Sequence, residues 1–178
     1  MTNMNVYLYQ RILGTGVLLL QIAIVVVLLL AIMKKDSAIK AHLQEYGMRY
    51  GLAIGIFALL GSLGLSEVYL LEPCRLCWFQ RIFHYPQIIL FAVAIKAKDL
   101  KVWSYSIWLA GIGLVISLYQ ILIQFSPTIA QSSLCSTNPS VASCSDILSM
   151  EYGFITIPVM SATLYLAMIV LYKYRKKA

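Results

Sequence analysis

The sequence predicts an all-α integral membrane protein with five transmembrane helices. Two features of the composition support this prediction. Of the 178 residues, 61% are hydrophobic and only 12% are charged, whereas about 25% of residues in a soluble protein are charged. A soluble fold of this length could not bury so much apolar surface, because a domain of roughly 150 residues buries only about 68–70% of its unfolded surface. The third feature is a series of five apolar segments, each close to the length of about 20 residues that a membrane span needs.

The five predicted spans differ in the charges that they carry. The first, fourth and fifth contain none, the second has Glu67 near its end, and the third has Arg81 together with His84. The first apolar run is longer than the core of a signal peptide and has no small-residue cleavage site after it, which predicts a retained helix. The spans are Ile12–Met33, Tyr50–Leu71, Leu76–Ile95, Val102–Phe125 and Tyr152–Tyr172.

The basic residues predict the orientation of these spans. Most of the fourteen Lys and Arg residues lie between spans one and two, between spans three and four, or after span five. These three segments fall on one side of the membrane, and the positive-inside rule predicts that this side is the cytoplasm. The amino terminus and residues 72–75 and 126–151 then face outward. Topology therefore explains the net charge of +7, and nucleic-acid binding is not predicted.

All four cysteines lie on the predicted outer side, where disulfides persist in bacteria. Two of them, Cys74 and Cys77, form a C-x-x-C sequence. This tetrapeptide occurs in redox sites, metal sites and haem attachment sites, and the absence of a following His excludes the c-type haem motif. The other two are Cys135 and Cys144.

The C-x-x-C pair is predicted to lie where the third helix begins. Pro73 immediately precedes Cys74, and proline favours the start of a helix. The amino terminus of a helix carries a partial positive charge and free N–H groups, which stabilise a thiolate. A thiolate is the species that attacks a disulfide.

Arg81 follows the pair on the same predicted helix face, and His84 lies one turn further on. An arginine within a membrane span costs several kcal/mol near the bilayer centre, about 2.5–3.5 kcal/mol on insertion scales, and needs a partner. Arg81 could reach back to the lipid headgroups. Alternatively, it could face a thiolate and the polar head of a lipid-soluble electron acceptor. His84 is either an ordinary packed side chain or part of the lining of the same pocket.

Cys135 and Cys144 fall in an outward loop rich in Ser and Pro, with eight residues between them. A disulfide there could be a structural cross-link or an exchangeable redox bond on a mobile arm. Four cysteines could also bind zinc, although the spacing of this second pair does not match a usual zinc knuckle. The sequence has no phosphate-binding loop and no Ser/His/Asp set.

The segment EPCRLCWFQRIFHYP at residues 72–86 resembles the signature of the DsbB/BdbC family of quinone-coupled thiol oxidases. The segment GFITIP at residues 153–158 is similar to that of the shorter BdbC-type members. The resemblance extends from about Tyr50 to the end and implies a four-helix bundle over about residues 50–172. It divides the chain into residues 1–49, with the additional first helix, and residues 50–178, the DsbB-like domain.

The resemblance also implies a role for each site residue. Cys135 would form a mixed disulfide with a reduced thioredoxin-like oxidase of the DsbA/BdbD type, and Cys144 would exchange with Cys74. Cys77 would meet the ring of ubiquinone or menaquinone, and Arg81 would hold the quinone head. The protein would then lie in the bacterial cytoplasmic membrane, with the cysteine loops outside, the carboxyl terminus in the cytoplasm and electrons leaving through the quinone pool.

Three other functions are compatible with the residues. The vitamin K epoxide reductase-like family also combines a helical bundle, C-x-x-C and quinone, but its loop cysteines usually precede the C-x-x-C. A membrane scaffold with fixed disulfides or zinc is a second alternative, although it gives no purpose to Arg81 on the cysteine face. A reductase that moves electrons outward is a third, because the residues alone do not set the direction.

Overall fold

The computed structural model describes residues 2–35, 37–126 and 143–175. The described residues form five α-helices and one small hairpin, which confirms the predicted all-α class. A π-helical turn, Gly64–Val68, extends the second helix. The helices are α1 (Thr2–Ile32), α2 (Ser37–Leu63), α3 (Arg75–Ala97), α4 (Val102–Phe125) and α5 (Ile157–Tyr174), and the hairpin strands are β1 (Met150–Glu151) and β2 (Ile155–Thr156).

Four of the described helices are long and apolar enough to cross a membrane: α1, α2 with its π-helical turn, α4 and α5. α3 does not meet the same criterion of apolar composition, because it carries several polar side chains. Gln80, Arg81, His84 and Gln87 are all buried within the bundle. With 23 residues, α3 is about 35 Å long at 1.5 Å per residue, which is enough to span the hydrocarbon core.

The predicted boundaries were right for α4, close for α3, and wrong for α1, α2 and α5. α1 begins at Thr2, well before the predicted Ile12. α2 begins at Ser37, before the predicted Tyr50, because the polar residues ahead of the apolar run continue the same helix. α5 begins at Ile157, after the predicted Tyr152. The intervening residues instead pair as the β1–β2 hairpin, whose turn places Tyr152 and Gly153 at φ values of 53° and 78°.

The helix bundle has two ends, which we name by the residues that they contain. The cysteine end contains the end of α2, the start of α3, the end of α4 and the start of α5. The basic end contains the connections from α1 to α2 and from α3 to α4, with Lys34, Lys35, Lys96, Lys98 and Lys101. The predicted grouping of basic residues at one end is therefore reproduced by the helix arrangement.

The bundle core lies between α3, α4 and α5. Tyr165 of α5 is fully buried, and its hydroxyl donates a hydrogen bond to the Gln80 carbonyl of α3 at 2.7 Å. Gly113 of α4 faces the Tyr165 ring so closely that an added Cβ would overlap it. The core cluster consists of Phe91, Ala94, Val102, Trp103, Ala110, Tyr165, Met168 and Leu171.

We expect Gly113→Ala to destabilise the bundle by about 1–3 kcal/mol, the usual range for overpacking a tight core. Tyr165 cannot move away easily, because its ring stacks on His84 and its hydroxyl is bonded to α3. Gly111→Ala is the matched control, since nothing lies within 4 Å of an added Cβ there. Thermal unfolding in detergent should show a lower midpoint for Gly113→Ala alone. Equal midpoints for the two variants would contradict this packing.

α1 packs against the bundle at the cysteine end. The Tyr9 hydroxyl donates to the Leu60 carbonyl of α2 at 2.8 Å, and the Gln21 amide donates to the Thr163 hydroxyl of α5 at 2.9 Å. Between these two contacts, Leu13 and Val17 are buried. The division into residues 1–49 and 50–178 stays a prediction, but α1 is in contact with both α2 and α5.

Candidate redox site

The site begins at the amino terminus of α3. Cys74 is the N-cap residue, with an extended backbone at φ −66° and ψ 170°, and Pro73 fixes the chain just before it. Cys77 lies in the first turn of the helix. The sequence therefore predicted correctly that both cysteines lie at a helix start, where free N–H groups and the helix dipole favour a thiolate.

The two sulfur atoms of the C-x-x-C pair are in direct contact. Cys74 and Cys77 are free thiols, and their Sγ atoms are 3.0 Å apart, within hydrogen-bonding distance. The side-chain amide of Gln120 on α4 donates toward both sulfurs, at 3.3 Å to Cys74 and 3.5 Å to Cys77. Gln80 in turn donates to the Gln120 carbonyl oxygen at 2.7 Å, which orients the Gln120 amide nitrogen toward the sulfurs.

The hydrogen bond with Cys77, followed by burial of the side chain, raises the pKa of the Cys74 thiol. A thiol with a raised pKa keeps its proton more readily, which favours Cys77 as the sulfur that carries negative charge. The Gln120 amide, 3.5 Å from the Cys77 sulfur, can stabilise that charge.

Arg81 is buried rather than extended toward the headgroups, with an exposed fraction of 7%. Its Nε donates to the Ser62 hydroxyl at 2.8 Å, and a terminal nitrogen donates to the Ser62 carbonyl at 3.1 Å. The Trp78 ring lies against the guanidinium, 5.1 Å from its carbon. These contacts with α2 hold a positive charge inside the bundle, one turn below Cys77.

His84 lies one further turn along α3 and is also buried. Its ring stacks on the Tyr165 ring, with the centroids 3.9 Å apart and the planes 11° from parallel. Neither ring nitrogen has a hydrogen-bond partner among the described residues. His84 is therefore a packed side chain, as one interpretation predicted, and the residue also lines a cavity, as the other predicted.

Cys77, Arg81 and His84 line one cavity, which we call the head cavity. Its empty volume is about 810 Å³, including the space at its open side. Most of the wall is apolar and comes from α1, α2 and α5. That wall includes Leu13, Val17, Phe57, Ala58, Leu65, Ile157, Met160 and Leu164. The predicted proximity of a sulfur, a guanidinium and space for a ligand is reproduced.

A second, smaller cavity lies on the other side of the cysteine pair. Cys74 and Cys77 both line it, together with Ser143, Asp146 and Ser149. Those residues flank Cys144, which is buried and disulfide-bonded. Cys135 falls outside the described residues, so its predicted role is not tested by the structure. The described residues contain no group of three His, Cys, Asp or Glu side chains that could hold a metal ion.

Comparison with known proteins identifies the family. The family model "Disulfide bond formation protein DsbB" matches residues 44–174. The chain belongs to the DsbB family. Helix α1 lies outside the matched residues. No solved structure gives a significant match to the chain.

Curated relatives agree with membership of the DsbB family. A "Probable disulfide formation protein C" of Bacillus cereus is 39% identical over 119 residues, 66% of this chain and 83% of that protein. The "SPbeta prophage-derived disulfide bond formation protein B" of Bacillus subtilis is 38% identical over 112 residues, 63% of this chain and 73% of that protein. A "Probable disulfide formation protein" of Coxiella burnetii is 39% identical over 128 residues, covering 70% and 85%. Membership makes the chain a multi-pass membrane protein with thiol–disulfide redox chemistry.

The structure of this DsbB-family protein adds residues that the sequence analysis missed. Gln120 contacts both sulfurs, Gln80 orients Gln120, and Ser62 holds Arg81. Each is a polar residue inside an otherwise apolar span, which was a usable signal because buried polar groups need partners. The sequence could not show which helices bring them together.

We expect Gln120→Leu to slow alkylation of the C-x-x-C pair by a small maleimide several-fold, because the substitution removes the N–H donor to both sulfurs. Gln124→Leu, one turn further along α4, is the matched control. Its side chain donates to the Asp146 carbonyl rather than to sulfur. Stopped-flow alkylation of the reduced protein at constant pH measures both rates. Equal rates for wild type and Gln120→Leu would show that Gln120 does not activate the thiols.

Proposed function

We propose that this protein is a membrane thiol oxidase that reoxidises an extracytoplasmic, thioredoxin-like disulfide donor of the DsbA/BdbD type and passes the electrons to membrane quinone. One observation carries the proposal: the C-x-x-C pair lies between two cavities. On one side are the residues around the disulfide-bonded Cys144. On the other is an apolar cavity with a buried cation. A pair in this position can take electrons from one side and release them on the other.

The head cavity suits a quinone in both shape and chemistry. Much of its wall is apolar, and its polar side chains include Arg81, whose N–H groups can donate to a carbonyl oxygen of the ring. Arg81 would hold the quinone head, and His84 would line its pocket. When bound, the quinone supplies an acceptor for two electrons and two protons. Cys77 would supply the thiolate that faces it.

The thiol chemistry of the chain then runs in two exchanges. The reduced partner attacks a disulfide between Cys135 and Cys144, which leaves the partner oxidised and these two cysteines reduced. Their thiols next reduce a disulfide between Cys74 and Cys77, which regenerates the first disulfide and leaves the C-x-x-C pair as two thiols. The described state, with Cys74 and Cys77 free and Cys144 disulfide-bonded, is the product of this second exchange.

The orientation follows from the same proposal. The basic end of the bundle carries several Lys residues in its connections, and the positive-inside rule assigns such an end to the cytoplasm. The cysteine end then faces the outside of the cytoplasmic membrane. This is the compartment in which newly secreted proteins acquire disulfides.

Turnover in proteoliposomes tests the proposed function. The purified protein is reconstituted with or without quinone and given a reduced thioredoxin-like oxidase from outside. We expect oxidation of that partner only in the presence of quinone, with one quinone reduced per disulfide formed. Oxidation of the partner at the same rate without quinone would contradict the proposal. Faster reduction of the oxidised partner by reduced quinone than oxidation of the reduced partner by quinone would contradict it as well.

A further inference from the structure

A second large cavity lies deeper in the bundle, toward the basic end, and we call it the tail cavity. α1, α2 and α5 form its walls, and its empty volume is about 1170 Å³, including the space at its open side. Apart from the Tyr50 hydroxyl, the side chains that line it are apolar. They include Leu20, Ala23, Ile24, Val27, Ala53, Ala167, Val170 and Leu171.

The two cavities adjoin each other. Phe57 of α2 and Leu164 of α5 line both the head cavity and the tail cavity. Along α5, the lining begins at Ile157 in the head cavity and ends at Leu171 in the tail cavity. At 1.5 Å per residue, this corresponds to a path of about 21 Å along the helix axis. The path starts at the polar groups around Cys77 and continues mainly along apolar side chains, with Ser161 and Tyr50 as the polar exceptions.

α1 supplies one wall of this path throughout its length. Leu13 and Val17 line the head cavity, and Leu20, Ala23, Ile24 and Val27 line the tail cavity. The hydrogen bond from Gln21 to Thr163 fixes α1 to α5 between the two. Because the family match begins at residue 44, this wall comes from the part of the chain outside the matched region.

We propose that the tail cavity binds the isoprenoid tail of the quinone, and that α1 forms the wall that holds it. The inference rests on the proposed function, because the quinone ring would occupy the head cavity. A molecule with a polar ring and a long apolar chain matches the order of the lining, which has Arg81 and Cys77 at one end and almost entirely apolar side chains beyond them. Because the bilayer around the protein is itself apolar, close van der Waals packing of the chain against the cavity wall would stabilise binding.

Equilibrium binding of two quinones with the same ring tests this inference without using turnover. One has no tail and the other has several isoprene units, and quenching of tryptophan fluorescence in detergent gives each Kd. Trp78, beside Arg81, is close to the head cavity and serves as a reporter. The Kd of the tail-less quinone divided by the Kd of the tailed quinone measures how much the tail strengthens binding. We compare this ratio between variants in the same detergent.

Ala23→Phe and Ala53→Phe each place a large side chain in the tail cavity, from α1 and from α2. Both alanines are exposed, so the added ring is directed into the cavity space rather than into the packed core. We expect each variant to lower the ratio by about tenfold, while the Kd of the tail-less quinone stays unchanged. Val26→Phe is the matched control, because Val26 lies on the same helix with 45% of its surface exposed and does not line the cavity.

Unchanged ratios in both filling variants would overturn the inference, since an acyl chain of a phospholipid or nothing at all would then occupy the tail cavity. The proposed function would survive that result, because the tail-less quinone would still bind. If the tail-less quinone does not bind to wild type, or binds equally well to Arg81→Met, the proposed function fails and the inference fails with it.

Discussion

Replacement of Cys77 by serine should reduce quinone-dependent oxidation of the thioredoxin-like partner to the background rate. Cys77 is the sulfur that lines both the head cavity and the smaller cavity beside Cys144. Its Sγ atom also lies 3.0 Å from the Cys74 Sγ atom, within hydrogen-bonding distance. A serine hydroxyl is neither a good nucleophile nor an electron donor at neutral pH, so it cannot replace the thiolate.

The control for Cys77→Ser must separate chemistry from folding. Serine differs from cysteine only at the Sγ atom, so we expect the thermal midpoint of Cys77→Ser to stay close to that of wild type. Cys74→Ser keeps the Cys77 sulfur at the head cavity but removes the thiol that would exchange with Cys144. Both variants should therefore lose turnover, measured as the absorbance change of the quinone. Turnover of Cys77→Ser above background would refute the assigned route of the electrons.

Replacement of Arg81 by methionine should raise the apparent KM for quinone by about 10- to 100-fold. A hydrogen bond to a charged group contributes about 1.5–3 kcal/mol, and about 1.4 kcal/mol corresponds to a factor of ten in binding. Arg81→His, which keeps a polar ring, should give an increase in the same direction. Arg81→Lys should give a smaller one, because lysine retains the charge but loses the planar set of donors.

Arg75→Met is the matched control for Arg81→Met. Arg75 is the first residue of the same helix and is exposed, so its removal should leave the KM for quinone unchanged. Steady-state kinetics at varied quinone concentration separate KM from kcat in all four variants. A fall in the thermal midpoint of Arg81→Met with an unchanged KM would mean that Arg81 is a structural partner of Ser62 and nothing more.

Part of this site could be read from the sequence because it lies on a single helix. Cys77, Arg81 and His84 are spaced by one turn each, so the helical repeat alone places them on one face. The start of that helix was also predictable, from Pro73 and the end of the preceding apolar span. The helical repeat determines the shared face, and the proline determines the start of the helix. Neither prediction requires knowledge of the tertiary structure.

The rest of the site depends on contacts between helices that are far apart in sequence. Gln120 reaches the sulfurs from α4, and Ser62 reaches Arg81 from α2. Both residues lie within predicted spans that are otherwise apolar, so the sequence did not single them out. Which polar groups come into contact depends on how the helices pack. The boundary of α5 was missed for a different reason, because the short hairpin before it is apolar enough to resemble part of a span.

The purpose of α1 could not be predicted for the same reason. Its composition predicts a membrane helix but not which helices it packs against, and most of its surface is exposed. The contacts of Tyr9, Leu13 and Gln21 with α2 and α5 are what make it a wall of both cavities. The sequence therefore specified the redox face of α3 well and the surrounding cavity poorly.

The absorbance spectrum of the purified protein with bound quinone tests the central claim most directly. A thiolate in contact with a quinone ring gives a charge-transfer band at long wavelength, where neither group absorbs alone. We predict this band in Cys74→Ser, which keeps the Cys77 thiolate but cannot close the Cys74–Cys77 disulfide, and its complete loss in Cys77→Ser. A spectrum without the band in quinone-loaded Cys74→Ser, or a band that persists in Cys77→Ser, would contradict the placement of a Cys77 thiolate against the quinone.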